Sequence, residues 1–130
     1  MVELHRFFVR WLDAVHPDPT LSLDRFSTVA APGFRLIQPS GAISDRQGVI
    51  DWLARSRASR GTPEVPFRIT ADEVEAIEAA PGVCLVTYIE RQDGPAGPTA
   101  WRSSALLCEA VDTPNGVAWV HVHETSMDVR

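Results

Sequence analysis

The chain of 130 residues contains no lysine; all 12 of its basic side chains are arginine. That absence excludes Schiff-base chemistry, covalently held pyridoxal phosphate and a deprotonated amine base, because each needs a titratable ammonium. Positive charge is scarce overall, with 17 acidic residues and a formal net charge of −5. A net-acidic chain without a basic run is a poor nucleic-acid binder, since phosphate neutralisation supplies most of that affinity. Cysteine is sparse too. Cys84 and Cys108 make no disulfide framework and match no metal spacing, so a reducing, cytoplasmic compartment is expected. The opening MVELHRFFVRWLDAVHPD carries charges throughout its apolar stretch, which suits neither a signal peptide nor a membrane span.

What is present is ordinary for a globular chain, 45% hydrophobic and 22% charged. One domain over residues 1–130 is expected, large enough to bury a core without staples. Val2, Leu4, Phe7, Phe8, Trp11, Leu12 and Val15 recur at helical spacing opposite Glu3, Arg6, Arg10 and Asp13, and Pro17 and Pro19 stop the run. Residues 20–29 read as a second short helix and residues 34–38 as a strand closed by Pro39-Ser40-Gly41. Ser44-Asp45-Arg46-Gln47 matches a capping box, so a third helix is expected over residues 45–58. Its basic end, Arg55, Arg57 and Arg60, reads as solvated.

From Pro66 the period becomes two. Phe67, Ile69 and Ala71 share one parity and Val74 and Ala76 the other, which predicts a bulge near Asp72-Glu73. Residues 83–91, 99–109 and 117–125 are three further strands joined by turn-rich segments. Helices followed by an antiparallel meander make an α+β pattern, with the helices on one face. The strands are apolar in both parities, so the second face needs a cover as well. A homodimer through the sheet is expected, the alternative being a strongly curled sheet with a partly exposed outer face.

This order of elements, ending in Trp119-Val120-His121-Val122-His123-Glu124-Thr125-Ser126, resembles the NTF2-like superfamily, and more narrowly its SnoaL-like, DUF4440-type members with their final W-x-x-x-H-x-x-S strand. The resemblance spans nearly the whole chain. It implies a cone in which N-terminal helices pack on a curved, mostly antiparallel sheet around a pocket, and it implies dimers. It does not imply one activity.

With the simplest hairpin registers, Tyr88 pairs with Arg102 and Ser103 with His123. Likeness to ketosteroid isomerases then turns the face holding Thr87, Trp101, Ser103, Trp119, His121 and His123 toward the pocket. The catalytic tyrosine, base aspartate and protonated aspartic acid of those relatives correspond here to Trp11, Gln38 and Ser103. Neither Trp nor Gln accepts a proton at neutral pH, which argues against that isomerase mechanism. His121 and His123 remain as candidate acid–base groups. Trp11, Trp101 and Trp119 would line the pocket for a small apolar or aromatic molecule, with Gln38, Thr87 and Ser103 orienting it. The competing reading makes both histidines satisfied core residues.

No metal or cofactor is expected: the H-x-H pair lacks a third ligand, Glu124 alternates away, and His5 and His16 have no evident route to the site. On the opposite face, Arg102 is expected to bridge Glu90 and Glu124 beside Tyr88 and so fix register. Cys84 and Cys108 fall near each other as small hydrophobes. Two functions stay open, an enzyme using pocket histidines and a non-catalytic dimerisation or ligand-binding module.

Overall fold

The computed structural model describes residues 2–128. Helix α1 (Val2–Leu12) buries Leu4, Phe7, Trp11 and Leu12 while Arg6 and Arg10 face solvent, as the helical spacing requires. It ends well before Pro17. The Asp13 carboxylate accepts from the N–H groups of Val15 and His16, and Ala14 donates to the Arg60 carbonyl at 2.8 Å, so local turns and a tertiary bond displace the last helical turn. The second helix shrinks for a similar reason. Asp18 accepts from Thr20 and Ser22 Oγ from the Asp24 N–H, leaving α2 with only Asp24–Ser27.

Strand β1 (Ala30–Ile37) starts earlier than expected, its Pro32 tolerated where the register with its neighbour shifts between Ala30 and Arg35. A short strand β2 (Ile43–Asp45), unforeseen in the sequence, folds back on it. Helix α3 (Arg46–Ser56) is capped by Asp45, whose carboxylate accepts from Gly48 N–H at 2.7 Å. The cap sits one residue later than the capping-box reading had it, because the Ser44 hydroxyl accepts instead from Gln38 Nε2. Arg57 is not simply solvated: its guanidinium lies 4.3 Å from the Trp11 ring centroid and bonds the Asp18 carbonyl.

Strands β3 (Arg68–Ala80), β4 (Val83–Asp93), β5 (Thr99–Glu109) and β6 (Val117–Met127) form the meander. All six strands make one curved sheet in the order β2-β1-β6-β5-β4-β3, antiparallel except where β1 runs parallel to β6. The α1 and α3 helices cover its concave side. Leu53 and Ala105 are completely buried there, among Phe7, Trp119 and Val86. Among the described residues no helix is long and apolar enough to cross a membrane.

The bulge foreseen in β3 is present, as a register shift between Asp72 and Glu75. Glu73 adopts φ 51°, a left-handed conformation that costs a side-chain-bearing residue about 1–2 kcal/mol. Glu73→Gly should therefore stabilise the chain by about 1 kcal/mol or less, and Glu73→Val should destabilise it, both read from urea midpoints. A glycine variant weaker than the parent would show that the bulge is unstrained.

Candidate functional site

Two local features decide which side chains meet the helices. The Gly97 N–H donates to the Gly94 carbonyl at 2.9 Å, closing a four-residue turn around Pro95-Ala96. That turn pairs Gln92 with Thr99 and hence Tyr88 with Ser103, one residue away from the simplest register. In the next hairpin the expected register holds from Glu109↔Val117 to Leu107↔Trp119. A bulge at Val120 then shifts it, giving Leu106↔His121, Ser104↔His123 and Ser103↔Glu124. Tyr88, Ser103 and Glu124 thus form one row across three strands, on the concave side.

Several sequence expectations are corrected by these pairings. His121 and His123 lie on the outer face, opposite the cavity, and so does Thr87, which pairs with Ser104. Trp11 is in the core and off the cavity wall, its indole N–H donating to the Leu53 carbonyl at 2.8 Å. Arg102 pairs with Ile89 and Thr125 on the outer face, so it bridges neither Glu90 nor Glu124. Cys84 and Cys108 fall on opposite faces and are free. Gln38, Trp101 and Trp119 do line the cavity, while Ser103 shares their face but is 1% exposed.

The cavity, of about 350 Å³, lies between the helices and the concave face. Its walls are mainly apolar, with Phe8, Phe34, Phe67 and Trp119, and Trp52 stands half open at the mouth. Its polar floor is made by His5, Tyr88, Glu90, Gln92 and Glu124. His5, from α1, places Nε2 3.0 Å from Glu90 Oε1, and both residues are buried. Gln92 Nε2 donates to the other Glu90 oxygen at 2.8 Å. Alternation on a strand could have placed Glu90 beside Tyr88; His5 needed the tertiary structure, although its spacing of three residues from Phe8 and seven from Leu12 is visible in the sequence.

Glu124 faces the same cavity. Burial, and then the charge of Glu90, push its pKa up from the usual 4.5 to about 8. The Tyr88 phenol, buried and facing both carboxylates, is pushed well above its ordinary value and stays a donor at any physiological pH. The floor thus combines a doubly hydrogen-bonded carboxylate, a carboxylic acid that keeps its proton at neutrality, a phenol and an imidazole. Such a set can donate to one ligand atom and accept from another. Among the described residues no three His, Cys, Asp or Glu side chains come together as a metal site. A second, shallower depression near Ser27 and Asp45 has its polar groups already engaged, Arg46 holding the Ser27 and Ala30 carbonyls.

The Glu124 shift has a consequence for stability. Between pH 4.5 and 8 the folded chain keeps a proton that the unfolded chain has released, so this contribution is complete at acid pH and is lost as pH rises toward 8. Each pKa unit corresponds to about 1.4 kcal/mol, and Glu124 is partly open to the cavity, so the loss amounts to a few kcal/mol at most. Glu124→Gln, neutral at every pH, should remove the decline when melting temperatures at pH 5 and pH 8 are compared. An unchanged decline would place the shift on another group.

Comparison with known proteins follows the same lines. No curated protein matches the chain at a significant level. Solved structures do. An NTF2-like protein of unknown function from Pseudomonas aeruginosa is 20% identical, with a TM-score of 0.82 over 98% of this chain and 95% of that one. A ketosteroid isomerase-like protein from Parabacteroides distasonis is 9% identical, with a TM-score of 0.64 over 98% and 85%. A calcium/calmodulin-dependent kinase II association domain-like protein from Exiguobacterium sibiricum is 13% identical, with a TM-score of 0.70 over 99% and 88%. The fold is therefore NTF2-like. The matching family model is not the SnoaL-like, DUF4440-type one of the narrower resemblance; residues 1–128 match the model described as sucrose-6-phosphate phosphohydrolase C-terminal, and the chain belongs to that family.

Proposed function

We propose that the cavity binds a small, mostly apolar molecule, and that Glu124, with the Glu90–His5 pair, is the group able to exchange a proton with it. One observation carries this reading: two carboxylates meet on the floor of an open, largely apolar cavity, where burial is costly unless the groups are used. The name of the matched family raises the possibility of a phosphorylated sugar. The acidic floor argues against a phosphate there, since like charges repel in a low-dielectric site.

The neutral probe 2-phenylethanol tests the pocket directly. It should perturb the emission of Trp101 and Trp119, and Ile69→Trp, which sets an indole at the cavity wall, should abolish the effect while the circular dichroism is retained. Binding unaffected by that block would refute the assignment. If turnover of any substrate is found, Glu124→Gln should reduce it by about 10²–10⁴-fold. Loss in His121→Ala or His123→Ala, with Glu124→Gln unimpaired, would return the chemistry to the strand histidines.

A second reading, non-catalytic self-association, is favoured by the outer face. Ile77, Leu85, Leu106 and His121 form one cross-strand row there, with Ile77 63% exposed. An exposed apolar row running from the edge strand β3 across to β6 suits a second copy of the chain. The likeness to an association domain supports the same use of the fold. The two free cysteines suit a reducing, cytoplasmic setting. A dimer mass by light scattering is expected at micromolar concentration, and Leu85→Asp should yield monomers; a monomeric parent chain would sink the proposal.

A further inference from the structure

We propose that the cavity is built for a cation, specifically an ammonium group carried on an apolar body. This rests on the pocket reading above and names the ligand class for it.

Gln92 and Gln38 each turn their amide nitrogen to a protein partner, one N–H donating to Glu90 and one to Ser44, and their carbonyl oxygens stay open as acceptors. His5 Nε2 lies 3.0 Å from Glu90 Oε1, and its Nδ1 is buried without a partner. Among the described residues nothing hydrogen-bonds to Glu124. The floor therefore offers the Glu90 carboxylate, two amide carbonyls and, once it ionises, Glu124 as acceptors, against the Tyr88 hydroxyl as a donor. An ammonium brings three donors and no acceptor, which complements it; a carboxylate or phosphate does not.

Charge points the same way. The groups facing Glu124 across the cavity are His5 from α1, Tyr88 and Glu90 from β4, and Arg60, which is exposed at the wall before β3. Other arginines are engaged away from the floor, Arg46 on carbonyls and Arg57 on Trp11. No lysine exists to fold inward. Trp52, Trp101 and Trp119 add ring faces, whose quadrupoles attract cations. Without a cation beside it Glu124 is neutralised by a proton. An ammonium beside it supplies the positive charge instead, the carboxylate forms, and the proton passes to solvent.

The test uses 2-phenylethylamine and its neutral counterpart 2-phenylethanol with the full chain, by titration calorimetry in two buffers of different ionisation enthalpy. The amine should bind at least about tenfold more tightly than the alcohol. Close to one proton should be released per amine at pH 6.5, and the affinity for the amine should rise with pH up to about 8. In Glu124→Gln, checked for folding by its melting temperature, the amine should lose its advantage and the proton release should vanish. Equal affinities, or amine binding without proton release, would overturn the cation assignment and leave the pocket standing. Binding of neither probe would overturn both.

Discussion

The hydrogen bond from the Gly97 N–H to the Gly94 carbonyl, 2.9 Å long, closes the β4–β5 turn, and the floor of the cavity takes its composition from it. Side chains alternate along a strand, so register is a choice between two faces. Pairing through this turn sends Val86, Tyr88, Glu90 and Gln92 toward the helices and Thr87 and Ile89 outward. A slip of one residue would exchange the sets. The bulge at Val120 makes the corresponding choice on β6, keeping Trp119 inward while turning Val122 and Glu124 in after it. Two short irregularities in the backbone, on separate hairpins, therefore bring both carboxylates to one place. Helix α1 then sets His5 against Glu90, which completes the group.

Burying two acids in one apolar space carries a penalty, and the chain meets it differently at each. Glu90 has both oxygens hydrogen-bonded, one by an imidazole and one by an amide, which replaces much of the lost hydration. Glu124 is given no such partners and keeps its proton instead, because burial and the Glu90 charge both oppose ionisation. The result is an acceptor and a donor held a strand apart, pushed toward opposite roles by their surroundings. Tyr88 on β4 and Glu124 on β6 flank small Ser103 on β5, so the middle strand leaves room for the longer side chains on either side. A core built for stability alone would place apolar residues at these positions.

Much of this architecture was legible in the residues, and the misses have physical causes. Helix α1, the α3 start, the strand order of the meander and the bulge at Glu73 follow from periodicity, caps and a parity change, which are local signals. The length of α1 and the brevity of α2 were not, because Asp13, Asp18 and Ser22 offered the backbone alternative bonds. The candidate site failed at register. Trp101 and Trp119 fell on the cavity side, while Thr87, His121 and His123 were turned outward by the Pro95 turn and the Val120 bulge. The turn carried a readable signal, a proline at its second position between two glycines. The bulge carried none, since Val120 is an ordinary strand residue. His5 carries no such signal, because nothing in the sequence shows which strand a helix faces.

The arginine-only composition, first an exclusion of imine chemistry, bears on the same floor. A lysine near the cavity could bend its flexible stem inward and neutralise Glu124 with a compact ammonium. A guanidinium is a rigid planar fork that needs several acceptors arranged to fit it, and here such arrangements lie outside: the Ser27 and Ala30 carbonyls for Arg46, the Trp11 ring and loop carbonyls for Arg57, Asp18 for Arg10 and Asp72 for Arg91. These contacts bind the helices and loops to one another and to the sheet edge. These four arginines thereby work as scaffold; Arg60 stands exposed at the cavity wall, and the two acids on the floor are left to His5 and to whatever enters the cavity.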